Sequence, residues 1–185
     1  MPSTQNVQND FDTAALFDAL DSQRRDRELS WQGVARALWD QSAVLNAQRN
    51  HHPISASTLT GMAKRGDATC QHALFMLRWL GRTPESFMPG STADAQTADA
   101  QRTALPAVGP DQRLRWNLKK LSDALDSQRR ERGFTWAQLA QELRCTPSQI
   151  SGVKRARFAI GMRLAMRIVT WLDRPARDFI YAARW

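Results

Sequence analysis

Residues 121–144 read LSDALDSQRRERGFTWAQLAQELR, and residues 16–39 read LFDALDSQRRDRELSWQGVARALW. At a fixed offset of 105, 13 of these 24 positions are identical. Further along the match resumes at an offset of 91–92, in Ser57/Ser148, Gly61/Gly152, Trp79/Trp171, Leu80/Leu172, Arg82/Arg174 and Phe87/Phe179. A unit of roughly 75 residues is therefore present twice, and an internal repeat decides the organisation before any single element does. The repeat divides the chain into residues 11–88, a segment 89–110 and residues 111–185. Each unit is near the lower size at which a domain buries enough surface to fold alone. The paired tryptophans Trp31/Trp136 and Trp79/Trp171 read as core, because large aromatics dominate small cores.

The segment between the copies, PGSTADAQTADAQRTALPAVGP, has no apolar period and carries Pro and Gly at both ends. It reads as a flexible linker. In the second copy, Leu114, Leu118, Leu121 and Leu125 recur at helical spacing, with Pro110-Asp111 as a candidate cap. Gly133 is placed to end that helix. Thr135 caps a second helix, Thr146-Pro147 starts a third, a fourth spans about 160–172, and Pro175 opens a short fifth. No segment is read as a strand, so the expected class is all-α.

Charge is distributed unequally. Residues 1–87 sum to 0, residues 88–110 to −1 and residues 111–185 to +9, within a total of +8. Such an excess on one small unit is the footprint of a polyanion binder. No paired-carboxylate, Ser/His/Asp, Cys/His or Gly-rich phosphate-loop pattern is present, so catalysis is not expected. Cys70 and Cys145 occupy unmatched repeat positions, and the adjacent His51 and His52 point apart on a helix, so no metal or other cofactor is expected. No apolar run approaches the ~20 residues of a membrane span, and from the polar start no signal peptide is expected. The expectation is a cytoplasmic, nucleoid-associated protein.

The second and third helices are separated by a tight turn, with small Ala140 at their crossing and Ile150 and Val153 pinning the third to the second. The stretch TWAQLAQELRCTPSQISGVKRAR, 135–157, resembles the phage-repressor-like, or xenobiotic-response-element type, helix-turn-helix family. The likeness covers residues 113–181 and implies two tandem five-helix lambda-repressor-like domains. The family usually has Gly at the turn where this chain has Arg144, so the turn falls on Arg144 or on Cys145.

In this family the third helix lies in the major groove. Carried over, the resemblance places Pro147, Ser148, Ser151, Gly152 and Arg155 at base edges, with Gln149 assisting and Thr146 at the helix start. Arg155 has the fork that matches guanine O6 and N7. Gly152, costly inside a helix, suggests close backbone approach to DNA. Phosphate contacts are expected from Thr135, Trp136, Gln138, Lys154, Arg157 and Arg163.

The first copy is neutral, and its second-to-third helix segment is longer by 14 residues, beginning DQSAVLNAQRNHHPI. The insert is expected to extend helix two until Pro53 breaks it. SASTLTGMAKR would then be the third helix, presenting Ser57, Thr58, Thr60, Gly61, Lys64 and Arg65 as a second DNA-binding set. The function expected is a sequence-specific regulator of transcription on double-stranded DNA, the first copy reading a second half-site. The alternative is a DNA-tethered interaction protein, antitoxin-like or a co-regulator, whose first domain binds a protein. The resemblance makes a homodimer a reasonable expectation, although two domains in one chain can replace it. A flexible 22-residue linker spans about 25 Å on average. It extends far enough for half-sites ~34 Å apart.

Overall fold

The computed structural model describes residues 10–91, 99–156 and 160–185. The first copy comprises α1 (Thr13–Asp26), α2 (Trp31–Asp40), α3 (Ala43–Gln48), α4 (Ala56–Arg65) and α5 (Cys70–Leu80), closed by a 3-10 turn at Pro84–Phe87. A short α6 (Ala100–Thr103) follows. The second copy comprises β1 (Arg113–Trp116), α7 (Leu118–Glu131), α8 (Trp136–Glu142), α9 (Pro147–Arg155) and α10 (Met162–Trp171). It ends in a 3-10 turn at Ala176–Phe179 and in β2 (Ile180–Ala183). The chain is mostly helical, and among the described residues no helix is long and apolar enough to cross a membrane.

The repeated text is a repeated side-chain network. Asp21 holds Arg24 and Arg25, and Asp126 holds Arg129 and Arg130. Arg24 donates to Leu29 O at 2.9 Å and Arg129 to Phe134 O at 2.6 Å, each pinning the loop after its helix. Gln23 and Gln128 both reach 3.1 Å to the carbonyls of Trp79 and Trp171. Arg24 lies over Trp31 and Arg129 over Trp136; Arg27 lies over Trp79 and Arg132 over Trp171. Arginine stacking on an aromatic face contributes about 0.5–1 kcal/mol where exposed. The motif ALDSQRR is thus scaffold, and its recurrence needs no functional cause.

Four expectations about the elements require correction. Residues 113–116 form a strand, paired antiparallel with β2 in the register Arg113↔Ala183 to Trp116↔Ile180. The mostly helical class stands, with this one two-stranded sheet in addition. Leu114 shares the helical spacing of Leu118 and Leu121, but RLRW alternates charged and apolar residues as a strand does. The cap of α7 is accordingly Asn117, accepting from Lys120 N, and not Asp111. The fifth helix is only the 3-10 turn after Pro175. In the first copy the insert does not lengthen α2; the chain turns at Gln41 and Ser42 and starts α3 afresh.

The expected flexible linker, whose residues 92–98 lie outside the described residues, is over 99–110 a strap across both copies: α6 lies against the second copy's turn at Ala176–Phe179, and Val108 to Pro110 are bonded to the first copy. Leu105 and Val108 lie against the core and Thr103 is buried. Arg78 supports it, donating to Val108 O, Gly109 O, Gln112 O, Gln41 O and Ser42 Oγ at 2.8–3.3 Å. Short apolar residues and backbone carbonyls do this work, and neither shows as periodicity.

One hydrophobic core runs through both copies. They meet where α5 packs on α10 and where Thr69 bridges Gly161 antiparallel. The inserted α3 belongs to this junction: Leu45 N donates to Pro110 O, Ser42 Oγ to Gln112 O, and Asn46 Oδ1 accepts from Arg113 at 2.6 Å. His51, beside it, meets Arg113 at 3.1 Å, and burial, with Arg113 adding to it, holds its pKa below the ordinary imidazole value.

Candidate nucleic-acid interface

Two reciprocal caps build the helix, turn and helix of the second copy. Thr135 Oγ1 accepts from Gln138 N at 3.2 Å while Gln138 Oε1 accepts from Thr135 N at 2.8 Å. Thr146 and Gln149 repeat that box with the same distances. The T-x-x-Q spacing is the sequence signature of such boxes and was the available signal for both. Each box satisfies two orphan amides, and the helix starts stay open to solvent. The turn itself falls on Arg144, which takes the left-handed conformation at φ +50° where a Gly is usual; Cys145 does not take it.

Ile150 and Val153 bury one face of α9, with Ala140 and Leu143 behind them. Pro147, Ser148, Gln149, Lys154 and Arg155 are exposed on the other, as is Thr146 before them. Ser151 and Gly152 are half-buried. Thr135 and Gln138 are exposed at the start of α8. The helix α9 contains no acidic residue, and Arg155 has no partner among the described residues. A Cβ on Gly152 would meet no described atom within 4 Å.

Three expected phosphate contacts stand differently. Trp136 is half-buried between the Arg129 guanidinium, 4.7 Å from its ring centre, and the Lys154 ammonium at 4.9 Å. Its ring is a platform that holds Lys154 at the edge of α9. Arg163 is drawn inward onto Asp10 at 2.7 Å. Arg157 lies outside the described residues.

Asp10 is the residue that sequence reasoning missed. Only 6% exposed, it accepts from Arg144 at 2.9 Å, Arg163 at 2.7 Å and Arg167 at 2.6 Å. The hydrogen bond from Arg167 leads, against the opposing effect of burial and with help from Arg163, and holds the carboxyl at about 2. Its signal was weak: a lone Asp in a polar start.

In the first copy α4 presents Ser57, Thr60, Lys64 and Arg65 as exposed and Thr58 and Gly61 as half-buried. Its hydroxyls are largely turned on the helix itself. Ser55 Oγ bonds Ser57 and Thr58 at 2.9 Å, and Thr60 donates to Ala56 O at 3.2 Å. Arg65 folds back to Thr58 O across Gly61, where a Cβ would meet its guanidinium at 2.5 Å. Gly61 is therefore room for Arg65.

Comparison with family models, with curated proteins and with solved structures finds no match to this chain.

Proposed function

We propose that this chain is a sequence-specific regulator of transcription that binds double-stranded DNA through tandem lambda-repressor-like helix-turn-helix units and works at the nucleoid. The observation that carries the reading is α9: a helix whose outer face is polar and basic, free of acidic groups, and seated on a unit of net charge +9. Its start has the polar side chains that a major groove accepts. Arg155 would bond a guanine edge; Pro147, Ser148 and Gln149 would lie at the bases, and Thr135, Gln138 and Lys154 at the phosphates.

Counterion release makes such binding weaken steeply with salt. Affinity for selected DNA, measured by fluorescence anisotropy from 50 to 200 mM salt, is expected to fall by about 10³-fold or more for six or more phosphate contacts. Arg155→Ala is expected to cost about 1–3 kcal/mol and to relax one base position. A flat salt response would refute the reading; unchanged affinity and base preference in Arg155→Ala would remove the assigned face.

A further inference from the structure

Cys70 N donates to Ile160 O at 2.7 Å, and Met162 N donates to Ala68 O at 2.7 Å, on either side of the Thr69–Gly161 bridge. In the repeat register, at the same offset of 92 that pairs Trp79 with Trp171, residues 68, 69 and 70 are the counterparts of 160, 161 and 162. Each bond is thus the image of the other with the copies exchanged. An antiparallel bridge between equivalent residues is produced by a two-fold rotation and not by a translation.

A second exchange agrees with it. Asp10, just before α1, reaches Arg163 and Arg167 on α10. In the other direction the residues just before α7 reach α5: Gln71 Nε2 donates to Leu114 O at 2.7 Å and Trp116 Nε1 to Cys70 O at 3.0 Å. Gln71 and Arg163 are counterparts in the register, and Leu114 is the counterpart of residue 9, next to Asp10. Each copy lays its leading segment on the fourth repeat helix of the other. The first pair of contacts joins equivalent residues and the second joins equivalent segments, and both accord with one local two-fold axis between Thr69 and Gly161.

Extended to the rest of each copy, that axis relates α4 to α9, which end at Arg65 and Arg155, 4 and 6 residues before the bridge, and Lys64 and Arg155 are counterparts. Chain length sets their separation. From mid-α4 through the bridge to mid-α9 the path is at most about 50 Å, at ~1.5 Å per helical and ~3.5 Å per extended residue. One turn of DNA, ~34 Å, lies within that reach, and two turns do not.

Resting on the DNA-binding reading above, we propose that one chain acts as its own dimer: a monomer that reads two unequal half-sites in inverted orientation, centred one helical turn apart, α9 in one and α4 in the other. The lengthened turn of the first copy grips the strap and β1, and so fixes this pairing.

The test is selection of the full chain on a random 30-base-pair duplex library, followed by native mass spectrometry on the winning duplex. One chain per duplex is expected, on a motif of two different inverted halves about 10 base pairs apart. Arg155→Ala should relax one half only and Lys64→Ala the other only. Reversing one half, or shifting it by 5 base pairs, should lower affinity by about 10-fold or more, since each lost base match alone is worth ~5–150-fold. Halves in direct repeat, two chains per duplex, or a single half indifferent to Lys64→Ala would overturn the arrangement while leaving DNA binding intact. No enrichment and no salt-sensitive retention of any duplex would overturn the reading beneath it.

Discussion

At the residue scale, Arg144 answers two demands at once. It holds a left-handed φ of +50° and donates to buried Asp10. A left-handed residue with a Cβ costs about 1 kcal/mol more than Gly. Arg144→Gly therefore trades that relief against one of the arginine bonds to Asp10, whereas Arg144→Ala only loses. The glycine variant should be the more stable of the two by about 1 kcal/mol in urea unfolding; the reverse order would mean that the turn does not fall on Arg144. Asp10 gives a pH signature. Its folded pKa, about 2, lies below the ordinary 3.8, so its stabilisation is present above pH 4 and is lost as pH falls toward 2. The gap between the native chain and Asp10→Asn should be about 1–2 kcal/mol at pH 6, allowing for solvent around the arginines, and should close near pH 2. A gap that does not change with pH would deny the clasp. A Cβ on Gly152 would meet no described atom, so Gly152→Ala should stabilise by about 0.5–1 kcal/mol. If affinity for DNA then falls, the glycine is there to admit the DNA backbone; if it holds, the glycine is an inheritance of the duplication.

At the element scale, what was legible in the sequence follows from where each contact lies. The helices of the second copy and their caps sit within a few residues of their partners, so TWAQLAQE and TPSQI announce themselves by spacing. The alternation of RLRW was equally readable as a strand, but its partner lies at Ile180–Ala183, and a four-residue pattern is decided by pairing and not by period. The strap 99–110 and the insert were not legible at all. Each is stabilised by groups far away in sequence, above all Arg78, whose counterpart in the second copy is exposed Thr170. Of the candidate site, the exposed face of α9 was readable from its period, whereas the capture of Arg163 by Asp10 depended on the meeting of the two copies. Arg78→Ala leaves several carbonyls unpaired and should cost about 3 kcal/mol or more, with Arg78→Lys recovering little because an ammonium cannot span those acceptors. Urea unfolding and limited proteolysis across residues 99–110 measure it; a cost below about 1 kcal/mol would mean that the strap is held by its apolar residues alone.

At the scale of the whole molecule, the two copies share their core instead of merely standing in tandem. Leu114 and Trp116 precede α7 yet pack toward α5, and Asp10 precedes α1 yet is held by the second copy. Cutting the chain between the copies would expose both sets together. Asp10 would be left without three arginines, and Trp116 Nε1 without its carbonyl. Desolvated groups that lose their partners cost about 1–3 kcal/mol each, against the 5–15 kcal/mol that holds a domain together. Residues 111–185 alone should therefore fold weakly, with reduced helical ellipticity and a shallow urea transition. The full chain should unfold in one step, its tryptophan fluorescence and far-ultraviolet dichroism tracing the same curve. Two separated transitions would mean that each copy is an autonomous domain, and the fixed two-fold would lose its physical basis. A single transition carries a functional consequence. Because α4 and α9 are held by one cooperative core, the proposed two-site arrangement needs no self-association, and affinity for a selected duplex is expected not to depend on it.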